Sequence, residues 1–138
     1  MNDTLQQALE IQLRSSEDVV RLRQVVRDRS VAAGLSLVDQ TKIITAASEL
    51  GRNTLTYGGG GKVIAAIVSD NGRRGVRLEF IDEGPGIADI GKALTDGFTT
   101  GGGLGLGLGG AKRLSDEFDI DSSPGRGTRV TIVRWKPH

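Results

Sequence analysis

Lys62-Val-Ile-Ala-Ala-Ile-Val-Ser-Asp-Asn-Gly-Arg-Arg-Gly-Val-Arg-Leu-Glu-Phe-Ile-Asp82 is the stretch that decides the fold. Lys62 to Asp70 is rich in Val and Ile, whose branched side chains suit a pleated, buried surface, and it reads as a strand. Asn71-Gly72, followed by Arg73, Arg74 and Gly75, reads as the turn, since Asn and Gly accept the positive φ of a tight hairpin. Val76 to Asp82 is the returning strand, so the centre of the chain is an antiparallel hairpin.

The flanking segments extend that hairpin in both directions. On the N-terminal side, Leu9, Ile11 and Leu13 alternate with polar neighbours over residues 8–14 and predict a half-buried strand. Ser15-Ser16 ahead of Glu17 and Asp18 signals a helix start, with acid at the positive end of the dipole. Val19, Leu22, Val26 and Val31 continue as an apolar stripe that Gly34 closes. A second helix opens at Ser36-Leu37-Val38-Asp39, carries Ile43, Ile44, Ala47, Leu50 and Leu55, and stops by Gly58–Gly61. On the C-terminal side, Gly84-Pro85-Gly86 is a loop and residues 89–95 predict a short helix capped by Asp89. Residues 96–107 show no period and read as a mobile loop; Leu108, Ala111 and Leu114 then mark a helix reaching about Glu117. Phe118 to Asp121 reads as a strand, Ser123-Pro-Gly-Arg-Gly127 as a turn, and Thr128 to Lys136 as the return. The order β-α-α-β-β-α-loop-α-β-β predicts an α+β fold, a mixed or antiparallel sheet with helices on one face.

Composition narrows the chemistry. The 138 residues suit one domain with its own core. Zero cysteines exclude disulfides, thiolate metal sites and cysteine nucleophiles. The single histidine, His138, is the last residue, which excludes a Ser-His-Asp triad and a histidine-built zinc site. A formal net charge of +1 argues against a protein devoted to neutralising a nucleic-acid backbone. The longest run free of polar residues and glycine, Val63 to Val68, is far short of the ~20 residues that span a bilayer. No apolar signal core interrupts the charges of the first thirty residues, so the expectation is a cytoplasmic domain with neither membrane nor nucleic-acid partner.

Glycine is the anomaly: 21 of 138, about 15% against a usual ~7%. Eight of the 21 crowd positions 97–110, where Gly101-Gly-Gly-Leu-Gly-Leu-Gly-Leu-Gly-Gly110 runs into a helix. Inward backbone N–H groups and a helix start make such an element suited to phosphate. It is not a P-loop, because the two Gly-Lys pairs are followed by Val63 and Ala93, nor a Rossmann fingerprint, because no strand precedes it. Leu104, Leu106 and Leu108 weigh against a solvated linker. Glu49 and Asn53 sit four residues apart on one helical face, placed either as a base and a metal ligand or as an ordinary solvated pair. Asp82 at a strand end before Gly84 and Gly86 suits a ligand amine, or an acidic turn. Lys62, Arg73, Arg74 and Arg77 make the hairpin basic, as a solvated face or a protein-docking one.

Taken together these elements are more specific. Ser48-Glu-Leu-Gly-Arg-Asn53, Asp82-Glu-Gly-Pro-Gly-Ile87, Gly103-Leu-Gly-Leu-Gly-Leu108 and Gly127-Thr128 resemble, in order, the boxes of the GHKL (Bergerat-fold) ATPases. The resemblance covers residues 8–136 of a single domain spanning 1–138, with a lid at about 96–108. It extends to the anti-sigma and stressosome serine-protein kinases of that superfamily through Leu35 to Gln40, Asp96-Gly-Phe-Thr-Thr100 and Lys112 to Phe118. It implies a two-layer α/β sandwich: a mixed sheet covered by helices on one face, with ATP between the helical layer and a glycine-rich lid.

By the same resemblance Asn53 holds Mg²⁺ at the phosphates, Glu49 is the catalytic general base, and Asp82 receives the adenine amino group. Gly84, Gly86 and Ile87 border the base, Thr128 supports it, and Thr99, Thr100, Gly103, Leu104, Gly105, Leu106 and Gly107 belong to the nucleotide-binding lid region. A histidine kinase is disfavoured: Thr54-Leu-Thr-Tyr57 lacks the usual lysine after the asparagine box, no internal histidine exists, and no dimerising hairpin precedes the domain. The resemblance implies a serine/threonine-protein kinase acting on a STAS-domain antagonist, with a phosphatase as a further partner. The alternative is a non-catalytic ATP-binding or partner-docking regulator.

Overall fold

The computed structural model describes residues 4–86 and 106–137. At its centre β2 (Gly61–Asp70) and β3 (Arg73–Asp82) pair antiparallel, from Gly61 opposite Asp82 to Asp70 opposite Arg73. Only Asn71 and Gly72 turn the chain, with φ of 52° and 83°. Two successive left-handed residues close a hairpin within two positions, so Arg73 to Gly75, expected in the turn, already belong to β3.

β1 (Thr4–Leu13) lies along the free edge of β2 and begins before the expected residue 8, because Ile67 to Ser69 offer backbone partners to Thr4 to Gln6. Its register shifts between Gln6 and Leu9, around Gln7 at φ 53°. β4 (Glu117–Ser122) and β5 (Thr128–Trp135) form the second hairpin. Among the described residues five strands run in the order β1-β2-β3-β5-β4. Every pairing among the described residues is antiparallel, one of the two arrangements that the element order allowed, and this corrects the mixed sheet that the resemblance implied. The reason lies in the connections: two helices in succession bring the chain back to β2 running against β1, and tight turns make the other neighbours hairpins.

Helix α1 (Ser16–Ala33) starts where Asp18 accepts the backbone N–H groups of Arg14 and Ser15 at 2.8 and 3.1 Å. These N–H bonds, Arg14's first, hold the Asp18 carboxyl below the usual range against the opposing effect of burial. The helix ends at Gly34, whose φ of 84° is the left-handed cap expected there. Helix α2 (Leu37–Thr56) is capped by Ser36, whose hydroxyl accepts the Asp39 N–H at 3.1 Å. Helix α3 (Leu106–Arg113) begins two residues before Leu108, taking Leu106 and Gly107 out of the expected loop. It also ends short of Glu117, since the Asp116 N–H donates to the Val133 carbonyl at 2.8 Å and draws the chain onto β5. The helix expected at 89–95 lies outside the described residues.

The helices cover one face of the sheet. Leu22 and Val26 of α1, with Ile43, Ala47 and Leu50 of α2, pack on Leu13, Val63, Ile67, Leu78 and Ile132, all buried. Leu108 and Ala111 join the same core from α3. Gly51 lets α1 and α2 approach closely, for a Cβ there would stand 3.3 Å from Leu22 Cδ2. On the opposite face Val68, Val133 and Trp135 form a small separate cluster. An ion pair ties the layers: Arg134 of β5 donates to Asp39 Oδ1 of α2 at 2.7 Å through Nη2.

Candidate nucleotide site

One end of the sheet gathers several of the residues that sequence singled out. Asp82 closes β3, and its strand neighbours are Gly61 on β2 and Thr128 on β5. Its carboxylate accepts the Gly84 N–H at 2.9 Å and the backbone N–H of Thr128. Burial pushes the Asp82 carboxyl above the usual range, and the two N–H bonds offset that only in part. A half-buried acceptor fixed by two backbone donors retains lone pairs for a third, which suits an amine.

Glycine is required around this carboxylate. A Cβ at Gly58 would lie 2.4 Å from Asp82 Cγ, and one at Gly84 would lie 2.7 Å from Gly58 Cα. Gly127, at φ 75°, would put a Cβ 2.2 Å from the Asp82 carbonyl oxygen. The Gly58–Gly61 loop, the Gly84-Pro85-Gly86 loop and the β4–β5 turn therefore converge on one residue. The Gly125 N–H donates to the Pro85 carbonyl at 2.7 Å and ties two of these loops together.

The C-terminal half of α2 forms the adjoining wall. Thr54 rests against Gly61, its carbonyl accepting the Gly60 N–H at 2.9 Å. The Asn53 carbonyl accepts N–H groups of Tyr57 and Gly58, which leads the helix directly into the glycine loop. The Asn53 carboxamide has no hydrogen-bond partner among the described residues, so a hard oxygen ligand is left open there. Glu49 sits one turn back on the same face, half-exposed, and pairs with Arg52 at 2.7 Å. Ser48 and Leu50, by contrast, are buried. The sheet end thus presents an amine acceptor, and the neighbouring helix an amide oxygen and a carboxylate.

The structure brings Glu49, Asn53, Asp82, Gly84, Gly86 and Thr128 to this end. Ile87, Thr99, Thr100, Gly103, Leu104 and Gly105 lie outside the described residues, while Leu106 and Gly107 open α3. Sequence reading missed the support beneath Thr128: the Ser122 hydroxyl donates to the Gly127 carbonyl at 2.9 Å and lies 2.8 Å from the Thr128 hydroxyl. Its only signal was the position of Ser122 just before a Ser-Pro-Gly turn, where a hydroxyl commonly meets backbone. Tyr57, one turn beyond Asn53, was also missed; its buried hydroxyl has no partner among the described residues.

Residues 38–138 match the family described as histidine kinase-, DNA gyrase B-, and HSP90-like ATPase. The chain belongs to this GHKL ATPase family. Its GHKL domain is 43% identical over 125 residues to the serine/threonine-protein kinase RsbT of Bacillus subtilis, covering 91% of this chain and 94% of that relative. It is 35% identical over 117 residues to an anti-sigma F factor of a Thermoanaerobacter species, covering 76% of this chain and 80% of that protein. Among solved structures the GHKL domain resembles the RsbU and RsbW domains of a Mycobacterium tuberculosis protein, with a TM-score of 0.64 and 23% identity. That match covers 96% of this chain and 34% of the solved one, and carries the fold alone. The α+β, two-layer GHKL fold expected from sequence is the one observed.

Proposed function

We propose that this domain is a Mg-ATP-dependent serine/threonine-protein kinase that phosphorylates a STAS-domain antagonist in a cytoplasmic partner-switching pathway and also binds a phosphatase. The observation that carries the reading is the placement of Glu49 and Asn53 on one face of α2, beside a glycine-built pocket around Asp82. The similarity to RsbT over nearly the full length of both chains supports the same conclusion.

The residues fit the cofactor: an open carboxamide suits Mg²⁺, and an anchored carboxylate between loops free of Cβ atoms suits a flat base. Mg-ATP, when bound, supplies the phosphoryl group and the cation that offsets its charge. Asp82 would accept the adenine amino hydrogen while the Gly84 and Thr128 N–H groups keep its carboxylate in place. Asn53 would ligate the metal through its carboxamide oxygen. Glu49 takes the proton from the attacking serine or threonine hydroxyl, and its half exposure leaves it within reach of a partner's side chain. Arg52, paired with Glu49 on the outer surface of the helix, orients it.

A second reading, a non-catalytic ATP-binding or docking regulator, draws on the anti-sigma F factor relatives. The deciding experiment incubates the chain with ATP, Mg²⁺ and a STAS-domain antagonist and follows the antagonist's intact mass. The kinase reading requires a phosphoryl adduct that disappears in Glu49→Gln while antagonist affinity persists. An antagonist of unchanged mass under saturating Mg-ATP would sink it.

A further inference from the structure

The basic hairpin tip takes no part in the nucleotide site. Arg73 begins β3 and Asp82 ends it, so at ~3.3 Å per residue the two lie about 30 Å apart, at opposite ends of the sheet. At the Arg73 end a groove runs between the close of α1, the β2–β3 turn and the close of β5, lined by Ala32, Gly34, Gly72, Arg73, Arg74 and Lys136. It holds three cations, and no carboxylate of the described residues lines it.

Arg73 is already engaged, 3.6 Å from Asp70 and stacked over Trp135 at 3.9 Å. Arg74 and Lys136 differ. Arg74 Nη1 donates to the Ala32 carbonyl at 3.1 Å, and neither side chain has a carboxylate partner among the described residues. Asp28, one turn earlier on α1, accepts instead from Gln24 at 3.0 Å. Nor do the last carbonyls of α1 occupy Lys136: Ser30 and Val31 are met by the N–H groups of Leu35 and Gly34, and Ala32 by Arg74. Among the described residues, two cations therefore face the groove without opposite charge.

Exposed apolar side chains lie close to the groove-lining residues in the chain. Val31, Leu37 and Val38, either side of the α1–α2 connection, are 61%, 73% and 65% exposed. Three exposed aliphatic side chains within four residues of Ala32 or Gly34, on a chain whose groove carries Arg74 and Lys136, match a surface that alternates carboxylates with apolar groups. Nucleic acid fits less well, because among the described residues the groove offers no free aromatic face for a base, its one neighbouring indole being covered by Arg73.

We infer that this groove docks an acidic, Leu-containing segment of a partner protein, at the end of the sheet opposite the nucleotide. A partner held there leaves the Glu49–Asn53 face open, so docking and phosphoryl acceptance can be served by different surfaces. The inference rests on the groove alone and survives whether or not the chain is a kinase.

The test titrates the isotope-labelled full chain with a synthetic peptide carrying two Glu for each Leu, read by amide NMR. The Gly34 and Gly72 amides should shift while those of Gly84 and Gly127 stay still. Binding should weaken about tenfold in Arg74→Glu/Lys136→Glu, and fall on raising salt to about 0.5 M. Lys136→Glu alone, which removes no hydrogen bond, guards against misfolding of the double variant. Unchanged Mg-ATP affinity in both variants separates this result from any failure at the nucleotide site. The inference is overturned if millimolar peptide leaves Gly34 and Gly72 unmoved, or if a Lys-for-Glu peptide shifts them equally. Tighter binding of a uridine oligonucleotide to the same amides, or self-association abolished by the double variant, would also overturn it by assigning the groove to another occupant.

Discussion

Replacing Asp82 with Asn separates binding from folding at this site. In the folded chain the carboxylate accepts two backbone N–H groups and is raised above its ordinary range chiefly by burial. Asn keeps the shape and one acceptor oxygen, loses the charge, and turns one face into a donor. A bond from an adenine amine to a buried, charged acceptor contributes about 1.5–3 kcal/mol, so Asp82→Asn should weaken Mg-ATP binding about 10- to 150-fold. Stability should change little: the Thr128 or Gly84 N–H loses its acceptor at a cost of about 1 kcal/mol, while the burial penalty on an ionised group disappears. The pH dependence follows from the sign of the shift. A carboxyl raised in the folded state opposes folding when ionised, so this contribution to wild-type stability improves as pH falls through the raised value and is absent in the variant. Nucleotide affinity moves the other way, decreasing in the wild type as the acceptor protonates. Calorimetric titration with Mg-ATP alongside denaturant unfolding reads both quantities. Wild-type affinity in Asp82→Asn, with a flat pH profile in both proteins, would refute the assignment of Asp82 to the adenine amine.

Gly127→Ala should destabilise the fold by about 3 kcal/mol, ~1 from a left-handed backbone and ~2 from displacing the Asp82 carbonyl. Gly59→Ala, where φ is also positive but nothing lies within 4 Å of a Cβ, should cost only about 1 kcal/mol; equal losses in urea unfolding would show that convergence on Asp82 is not the constraint. Asp39→Asn should cost about 2–3 kcal/mol, less than a fully isolated buried charge because Arg134 keeps the Leu114 carbonyl at 3.2 Å and Asp116 at 3.8 Å. The Asp39 carboxyl is held below the usual range, chiefly by its bond from Arg134. Its stabilisation is therefore complete above the ordinary carboxylate range and lost as pH falls through the lowered value, so the gap between wild type and variant should close in acid unfolding.

Much of this molecule is legible in one dimension. Asn71-Gly72 names its own turn, Gly34 ends α1, and Ser36 caps α2, because each acts through the dihedrals or hydrogen bonds of a few adjacent residues. The pairing of Glu49 with Asn53 on one face needs only the helical repeat. The strand ends were less legible, since Thr4 to Gln6 of β1 and Arg73 to Gly75 of β3 extend only because a neighbouring strand offers them bonds. The early end of α3 is decided by Val133, far along the chain, so no local rule could place it.

The residues themselves determined the element types, the helix caps, the hairpin turns and the family boxes, all consequences of short-range sterics and spacing. Only the tertiary structure decided the strand order β1-β2-β3-β5-β4, the tie between Asp39 and Arg134, and the crowding of Gly58, Gly84 and Gly127 about Asp82. The reason is physical: a glycine is dispensable or obligatory according to what would meet its missing Cβ, and that neighbour comes from another strand. The same holds for charge, since the basic hairpin tip becomes a groove only where α1 and β5 close beside it.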